Sequence, residues 1–173
     1  MNRHDIHRMI RVDQAGEFGA TRIYQGQLDV MGDRGPHAAE IAHMAEQEKV
    51  HRAKFDALMA QRGVRPTALQ PFWSVAGYAL GAATALMGPK AAMACTAAVE
   101  TEIDRHYSDQ LDQLRAGNAD PELEAMIDEF REEELQHRDA ALAAGAEQAP
   151  AYPLLSGVIR LGCRAAIKLA ERI

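Results

Sequence analysis

Apolar residues recur at intervals of three and four along almost the whole chain, and no stretch alternates apolar with polar as a half-buried strand would. The pattern predicts six helical segments. The first covers about 4–31 and is closed by Gly32-Asp33-Arg34-Gly35-Pro36; the second covers about 37–62 and stops at Gly63, with Pro66 beyond. A third, about 71–87, lies between Pro71 and Gly88-Pro89, and a fourth, about 89–116, runs to Gly117-Asn118. Asp120-Pro121 is an N-cap and first-turn signature, so a fifth segment starts there and ends near Gly145. A sixth covers about 153–172. The first, second, fourth and fifth are long enough to build a four-helix bundle. Short links within each of those two pairs imply antiparallel hairpins. The connection between the second and the fourth is long and carries a helix of its own, so the bundle has one crossover. The expectation is an all-α single domain, 1–173, with an apolar crossover segment at 66–90 and a basic amphipathic helix at 153–173.

Six polar residues interrupt the apolar faces. Glu48-Lys49-Val50-His51 and Glu134-Leu135-Gln136-His137 are each a Glu-x-x-His, and each has a lone Glu upstream, Glu17 by 31 residues and Glu100 by 34. Positions i, i+3, i+4, i+7 and i+11 share a helix face. Glu48 and His51 therefore fall inside the stripe Ile41, Met44, Phe55 and Leu58, and Glu134 and His137 inside Leu123, Ile127, Phe130 and Ala141. Glu17 sits among Ile10, Ala20, Tyr24 and Leu28, and Glu100 among Met93, Ala97, Ile103, Tyr107 and Leu111. With 14 Glu and seven His, roughly half a Glu-x-x-His is expected by composition alone. A third occurrence, Glu40-Ile41-Ala42-His43, continues through Gln47 and Lys54 and reads as solvated surface, which makes it an internal control.

Four carboxylates and two imidazoles on four helices are the ligand set of ferritin-like di-metal bundles. Buried without cations, the carboxylates would repel by roughly 4 kcal/mol per close pair or be forced to take up protons. Two divalent ions nearly neutralise them. Oxygen-rich ligands with one His per metal suit iron or manganese, whereas structural zinc favours Cys and His. Glu48 and Glu134, each with a His close by, are the expected bridging ligands, and Glu17 and Glu100 the terminal ones.

Composition narrows the partners. The net charge of −6 argues against nucleic acid. Cys95 and Cys163 have no metal-type or redox-motif spacing and read as small core residues in a reducing compartment. The N-terminus is polar and enters a helical pattern directly, so a cytoplasmic or trimmed chain is expected.

Arg11-Val12-Asp13-Gln14-Ala15-Gly16-Glu17, Glu48-Lys49-Val50-His51, Ala98-Val99-Glu100-Thr101-Glu102 leading to His106-Tyr107, and Phe130-Arg131-Glu132-Glu133-Glu134-Leu135-Gln136-His137 closely resemble the 5-demethoxyubiquinone hydroxylase family. The resemblance spans nearly the whole chain. It implies a ferritin-like bundle and two iron ions on Glu17, Glu48, His51, Glu100, Glu134 and His137. It also implies an O2-dependent monooxygenase that hydroxylates the ring of a prenylated methoxy-benzoquinol, 5-demethoxyubiquinol to demethylubiquinol, in ubiquinone biosynthesis. NADH or a reductase is the implied electron source, and a lipid-binding protein that presents the substrate the implied helper. Oligomeric state, a homo-oligomer included, is left open. Four further residues are candidates for supporting roles. Tyr107 shares the Glu100 face, so that it can contact substrate or relay an electron or proton. His106 is turned about 120° away, so that it would support a ligand from behind or sit near a rim. Asp104, or Asp13 from the first helix, would orient a metal-binding His.

A prenylated substrate resides in a membrane, and two segments fit that. Between Thr67 and Val99 only Lys90 is charged, but at most about 17 residues lie between the flanking prolines, at the short limit for spanning. A crossover helix that packs on the bundle and touches lipid is expected, with Trp73 and Tyr78 at the headgroup boundary. In the last segment Arg160, Arg164, Lys168 and Arg172 form a basic stripe beside an apolar surface, which suits anionic lipid or an acidic partner. The expected location is the cytoplasmic face of a bacterial inner membrane, peripherally attached, or the matrix side of the mitochondrial inner membrane for a processed chain. The competing readings are a rubrerythrin-type peroxidase or ferroxidase, against which stands the lack of a Cys-x-x-Cys module, and a non-catalytic iron-binding bundle, which the apolar and basic extra helices fit poorly.

Overall fold

A computed structural model describes residues 1–33, 35–117 and 119–172. Arg34 and Asn118, in the two expected hairpin links, and Ile173, at the end of the expected basic helix, lie outside the described residues. The described residues form α1 (Arg3–Met31), α2 (Ala38–Arg62), α3 (Gln70–Leu86), α4 (Pro89–Gly117), α5 (Pro121–Ala143), a short 3-10 turn at Ala146–Gln148, and α6 (Tyr152–Ala170). The expected segments fall on these helices to within two residues.

Local chemistry sets the ends. Asn2 accepts from the backbone of His4 and Asp5 while Asp5 reaches back to the Asn2 amide, a capping box that opens α1. Asp120 caps α5 through the Leu123 amide and is clamped by Arg62 from α2, which ties the two hairpins together at one end of the bundle. Gly63 ends α2 in a left-handed conformation with its amide on the Met59 carbonyl.

α1 packs along α2, and α4 along α5, as two hairpins. This is the ferritin-like arrangement, with α3 as the crossover and α6 added on the outside. The core has two layers. Ile10, Phe55, Leu58, Leu111, Leu123, Ile127 and Phe130 fill one end, and an alanine-rich group with Tyr24, Ile41, Met44 and Met93 fills the other. Between the layers lie the six buried polar residues.

α3 lies against α1 and is seated by glycine. A Cβ on Gly81 would collide with the Ile23 carbonyl, one on Gly26 with the Tyr78 carbonyl, and one on Gly77 would come to 2.9 Å from the Gly19 carbonyl oxygen. The small residues of the crossover segment thus serve close backbone packing. Among the described residues no helix is long and apolar enough to cross a membrane. Trp73 is half-buried against Val12, Ala15, Ile167 and Ala170. Tyr78 is on the surface, donating to Asp29 at 3.0 Å. Replacing Gly81 by leucine is expected to cost about 2–3 kcal/mol by overpacking against backbone. Urea denaturation would read this as a lower midpoint with an unchanged slope.

Candidate metal centre

α1, α2, α4 and α5 each send acidic side chains into the centre. Glu17, Glu48, Glu100 and Glu134 are at most 1% exposed, and His51 and His137 are buried beside them. The ligand atoms fall into two groups, Glu17–Glu48–His51–Glu134 and Glu48–Glu100–Glu134–His137, each with its atoms within 4.8 Å of one another. Glu48 and Glu134 belong to both groups.

Glu134 spans the two imidazoles. Its Oε1 lies 3.1 Å from His51 Nδ1 and its Oε2 3.1 Å from His137 Nδ1. Glu17 Oε2 is 3.5 Å from His51 Nδ1, and Glu48 Oε1 is 3.3 Å from His137 Nδ1. Both Nδ1 atoms therefore face the carboxylates, and both Nε2 atoms face outward to an acceptor. His51 Nε2 meets Glu133 Oε2 at 2.5 Å and His137 Nε2 meets Gln47 Oε1 at 3.1 Å. An acceptor on Nε2 fixes the tautomer that leaves Nδ1 free to ligate. The His51 ring is stacked on Phe130 at 4.0 Å between centroids, which holds its plane.

Two tyrosines close the cluster. Tyr24 donates to Glu100 Oε1 at 2.8 Å, and Tyr107 donates to Glu17 Oε1. Their second oxygens, Glu17 Oε2 and Glu100 Oε2, and both oxygens of Glu48, are buried without a hydrogen-bond partner. Unpaired carboxylate oxygens at this depth are costly, and cations between the two groups would satisfy all of them. The residues present therefore fit two metal ions.

The charges of the metal-free cluster say the same. Burial, then the charge of Glu134, pushes Glu48 and Glu100 well above the usual carboxylate range. For Glu134 burial acts upward, but the hydrogen bonds of His137 and His51 outweigh it and hold the carboxyl at about 2. For His51 burial acts downward, and bonds to Glu134 and Glu17 raise it to about 11. Metal binding must displace the protons these groups retain.

The four supporting candidates divide. Tyr107 reaches the cluster. Asp13 does not orient a His of the cluster: its Oδ1 holds His106 Nε2 at 2.9 Å and accepts from Gln110 at 2.8 Å. His106 lines a polar recess of about 370 Å3 walled by Arg8, Arg105, Arg164 and Lys168 together with Glu102, Asp109 and Glu171. Asp104 does not orient a His of the cluster either. Arg131 Nε binds it at 2.7 Å and Arg138 approaches to 3.8 Å, because its flank of α4 faces the cations of α5 rather than either imidazole. The residues that do meet the imidazoles, Gln47 and Glu133, directly precede Glu48 and Glu134 in the chain, but each meets the His of the opposite helix, which no spacing within one helix signals. Tyr24 was legible only as a member of an apolar face. Glu40 and His43 of the control motif are exposed.

An apolar groove of about 380 Å3 runs beside the cluster between α1, α3, α4 and α6. Gly16, Ala20, Val99 and Ile103, close in sequence to Glu17 and Glu100, form its inner wall, and Trp73, Leu80, Ile159 and Ile167 its outer parts.

Residues 4–170 match the family model described as ubiquinone biosynthesis protein COQ7. A relative from Rhodospirillum rubrum, named 3-demethoxyubiquinol 3-hydroxylase, is 58% identical over 97% of this chain and 78% of its own length. A Bos taurus relative, named NADPH-dependent 3-demethoxyubiquinone 3-hydroxylase, mitochondrial, is 50% identical over 100% of this chain and 80% of its own. A Saccharomyces cerevisiae relative, named 5-demethoxyubiquinone hydroxylase, mitochondrial, is 42% identical over 97% of this chain and 78% of its own.

Proposed function

The chain belongs to the COQ7 family of ubiquinone biosynthesis proteins, and from that membership we propose that it hydroxylates the ring of a demethoxyubiquinol at the buried Glu/His cluster. The observation that carries the chemistry is the pair of four-ligand groups sharing Glu48 and Glu134. Two iron ions held there would supply the redox chemistry that activates O2.

The protein's own residues do the rest. Glu17, Glu48 and His51 would hold one ion and Glu100, Glu134 and His137 the other, Glu48 and Glu134 being the residues that belong to both groups. Glu133 and Gln47 keep the imidazoles oriented, and Tyr24 and Tyr107 pin the two terminal carboxylates. Tyr107 also carries a phenolic proton at Glu17, and burial followed by the Glu17 charge raises that phenol well above its usual range, so it stays a donor at neutral pH. The apolar groove takes the prenylated quinol, whose ring reaches the cluster at the Gly16–Ala20 and Val99–Ile103 wall while water is kept out. The electron source is a nicotinamide nucleotide or a reductase. Arg8, Arg105 and Lys168, at the polar recess beside His106, suit nucleotide phosphates.

The outer faces support attachment to a membrane surface. Phe72, Val75, Leu86 and Met87 on and just after α3, and Leu154, Val158, Leu161 and Leu169 on α6, are exposed apolar side chains; Val75 and Leu154 are each 70% exposed. Val158 also stands on the lip of the groove, so substrate enters from the lipid side. We place the chain on the cytoplasmic face of a bacterial inner membrane or the matrix side of the mitochondrial one. A lipid-binding helper and a homo-oligomer are compatible partners.

Purification in mild detergent, followed by organic extraction and mass spectrometry, tests the substrate reading. Demethoxyubiquinone is expected to co-purify with the chain and to be absent after exchange into detergent-free buffer with a competing quinone. Rapid turnover of hydrogen peroxide with no bound quinone would favour the peroxidase reading instead.

A further inference from the structure

Glu102 lies two residues after Glu100, about 200° around α4, and so points away from the metal cluster. It is nonetheless only 2% exposed. Its partners all come from α6. Arg160 Nε donates to Oε1 at 2.6 Å, Arg164 Nε to Oε2 at 2.7 Å, and Arg164 Nη2 to Oε1 at 2.8 Å. One buried carboxylate thus takes three charge-assisted bonds from two successive turns of one helix. Apolar contact along α6 is partial: Ile159 and Ala170 are its only fully buried side chains among the described residues, while Tyr152, Leu155, Cys163 and Ile167 are partly buried against the bundle. The same helix supplies Val158, Ile159, Gly162, Cys163, Ile167 and Ala170 to the apolar groove. The clamp and the groove wall are two faces of one helix.

We propose that Glu102 is a positioning residue that holds α6 as the movable outer wall of the groove, and so sets how tightly the prenyl chain of the substrate is gripped. The groove is closed on three sides by α1, α3 and α4. α3 is seated closely on α1, backbone against backbone at Gly26, Gly77 and Gly81, a packing that is lost if the two helices part. α6 combines partly buried apolar contacts with ionic ones at a half-exposed edge, which reform after displacement, so a long chain enters by lifting α6. This inference rests on the hydroxylase reading for its kinetic arm only.

The test uses the full, metal-loaded chain with Glu102→Gln, which removes the charge without leaving an unpaired buried ion. Amide exchange within 155–168 is expected to quicken by about tenfold, the loss of a charge-assisted bond, while α2 and α5 exchange as before. Steady-state kinetics with a long-chain quinol are expected to show KM raised about tenfold with kcat within about twofold, the signature of lost uniform binding. Arg160→Gln, a change at a half-exposed position, is expected to shift both in the same direction by less. Unchanged exchange in α6 would overturn the clamp, and faster exchange with an unchanged KM would overturn its role at the groove. Should the wild-type chain not hydroxylate the quinol at all, equilibrium binding of a fluorescent polyprenyl quinone replaces KM. Weaker binding to the variant would support the wall, and equal binding would overturn it.

Discussion

Replacing Glu134 by alanine is expected to abolish quinol hydroxylation, by a factor of at least about a thousand, since losing a residue that merely supports a ligand already costs ten- to a hundredfold. Glu134 is the residue on which the cluster depends most. It is fully buried, each of its oxygens faces a different imidazole, and it belongs to both ligand groups. Without it His51 and His137 lose their common partner and neither group keeps its four ligands. Iron per chain is expected to fall from about two to below one, as the ligand set of a di-metal bundle is broken. Helical circular dichroism should persist, because the flanking core residues Ile127, Phe130 and Ala141 remain buried. Glu40→Ala, in the exposed control motif, is expected to leave both activity and iron content unchanged. Activity that survived in Glu134→Ala with full iron content would place the chemistry elsewhere.

Metal removal is the second large effect, and its pH dependence has a definite sign. In the metal-free protein His51 is raised from its ordinary 6.5 to about 11, and Glu48 and Glu100 are raised well above their ordinary 4.5. A group that binds its proton more tightly when folded contributes stability that is full below its unfolded value and is lost as pH climbs toward its folded one. All three act in the same direction above pH 6.5. Glu134, held at about 2, acts in the opposite sense, but its contribution is lost only as pH falls below the ordinary carboxylate value. The melting temperature of the metal-free chain is therefore expected to fall steadily between about pH 6.5 and 9. Bound metal displaces the same protons, so its affinity rises over that range. At a thousandfold excess over the dissociation constant, binding adds about 4 kcal/mol. For a chain of this size that is roughly 8–16 °C. Differential scanning calorimetry with and without a chelator would read the gap, which is expected to widen with pH. A metal-free melting temperature that rises with pH would contradict the electrostatics drawn for the cluster.

The bundle was legible in the sequence because helical periodicity and punctuation agree. Asp120-Pro121, Gly63 and Gly88-Pro89 mark ends that no tertiary contact overrides. The six ligand residues were legible because each breaks an apolar stripe at a position where a surface residue has no reason to be. Their supporting partners were not, because they depend on which helix lies opposite. Glu133 sits on a flank of α5 that becomes relevant only when α2 brings His51 against it. Asp104 has the spacing of a supporting carboxylate, yet Arg131 and Arg138 reach it first. The basic stripe of α6 reads as suited to anionic lipid or an acidic partner, and two of its cations, Arg160 and Arg164, also pair with the buried Glu102, a partner that spacing along α6 does not reveal. The glycines of α3 serve close packing on α1, a use that no spacing within α3 alone displays. Spacing along one helix finds the face a residue shares; it does not find what the next helix places there.

The most direct test is single-turnover oxygenation. The chain would be loaded anaerobically with ferrous iron, given demethoxyubiquinol and reduced nicotinamide nucleotide in detergent, and pulsed with 18O2. A quinone product heavier by one 18O atom, absent in Glu134→Ala, is the predicted result. Oxygen consumed by iron-loaded protein with no label in the quinone would contradict the account.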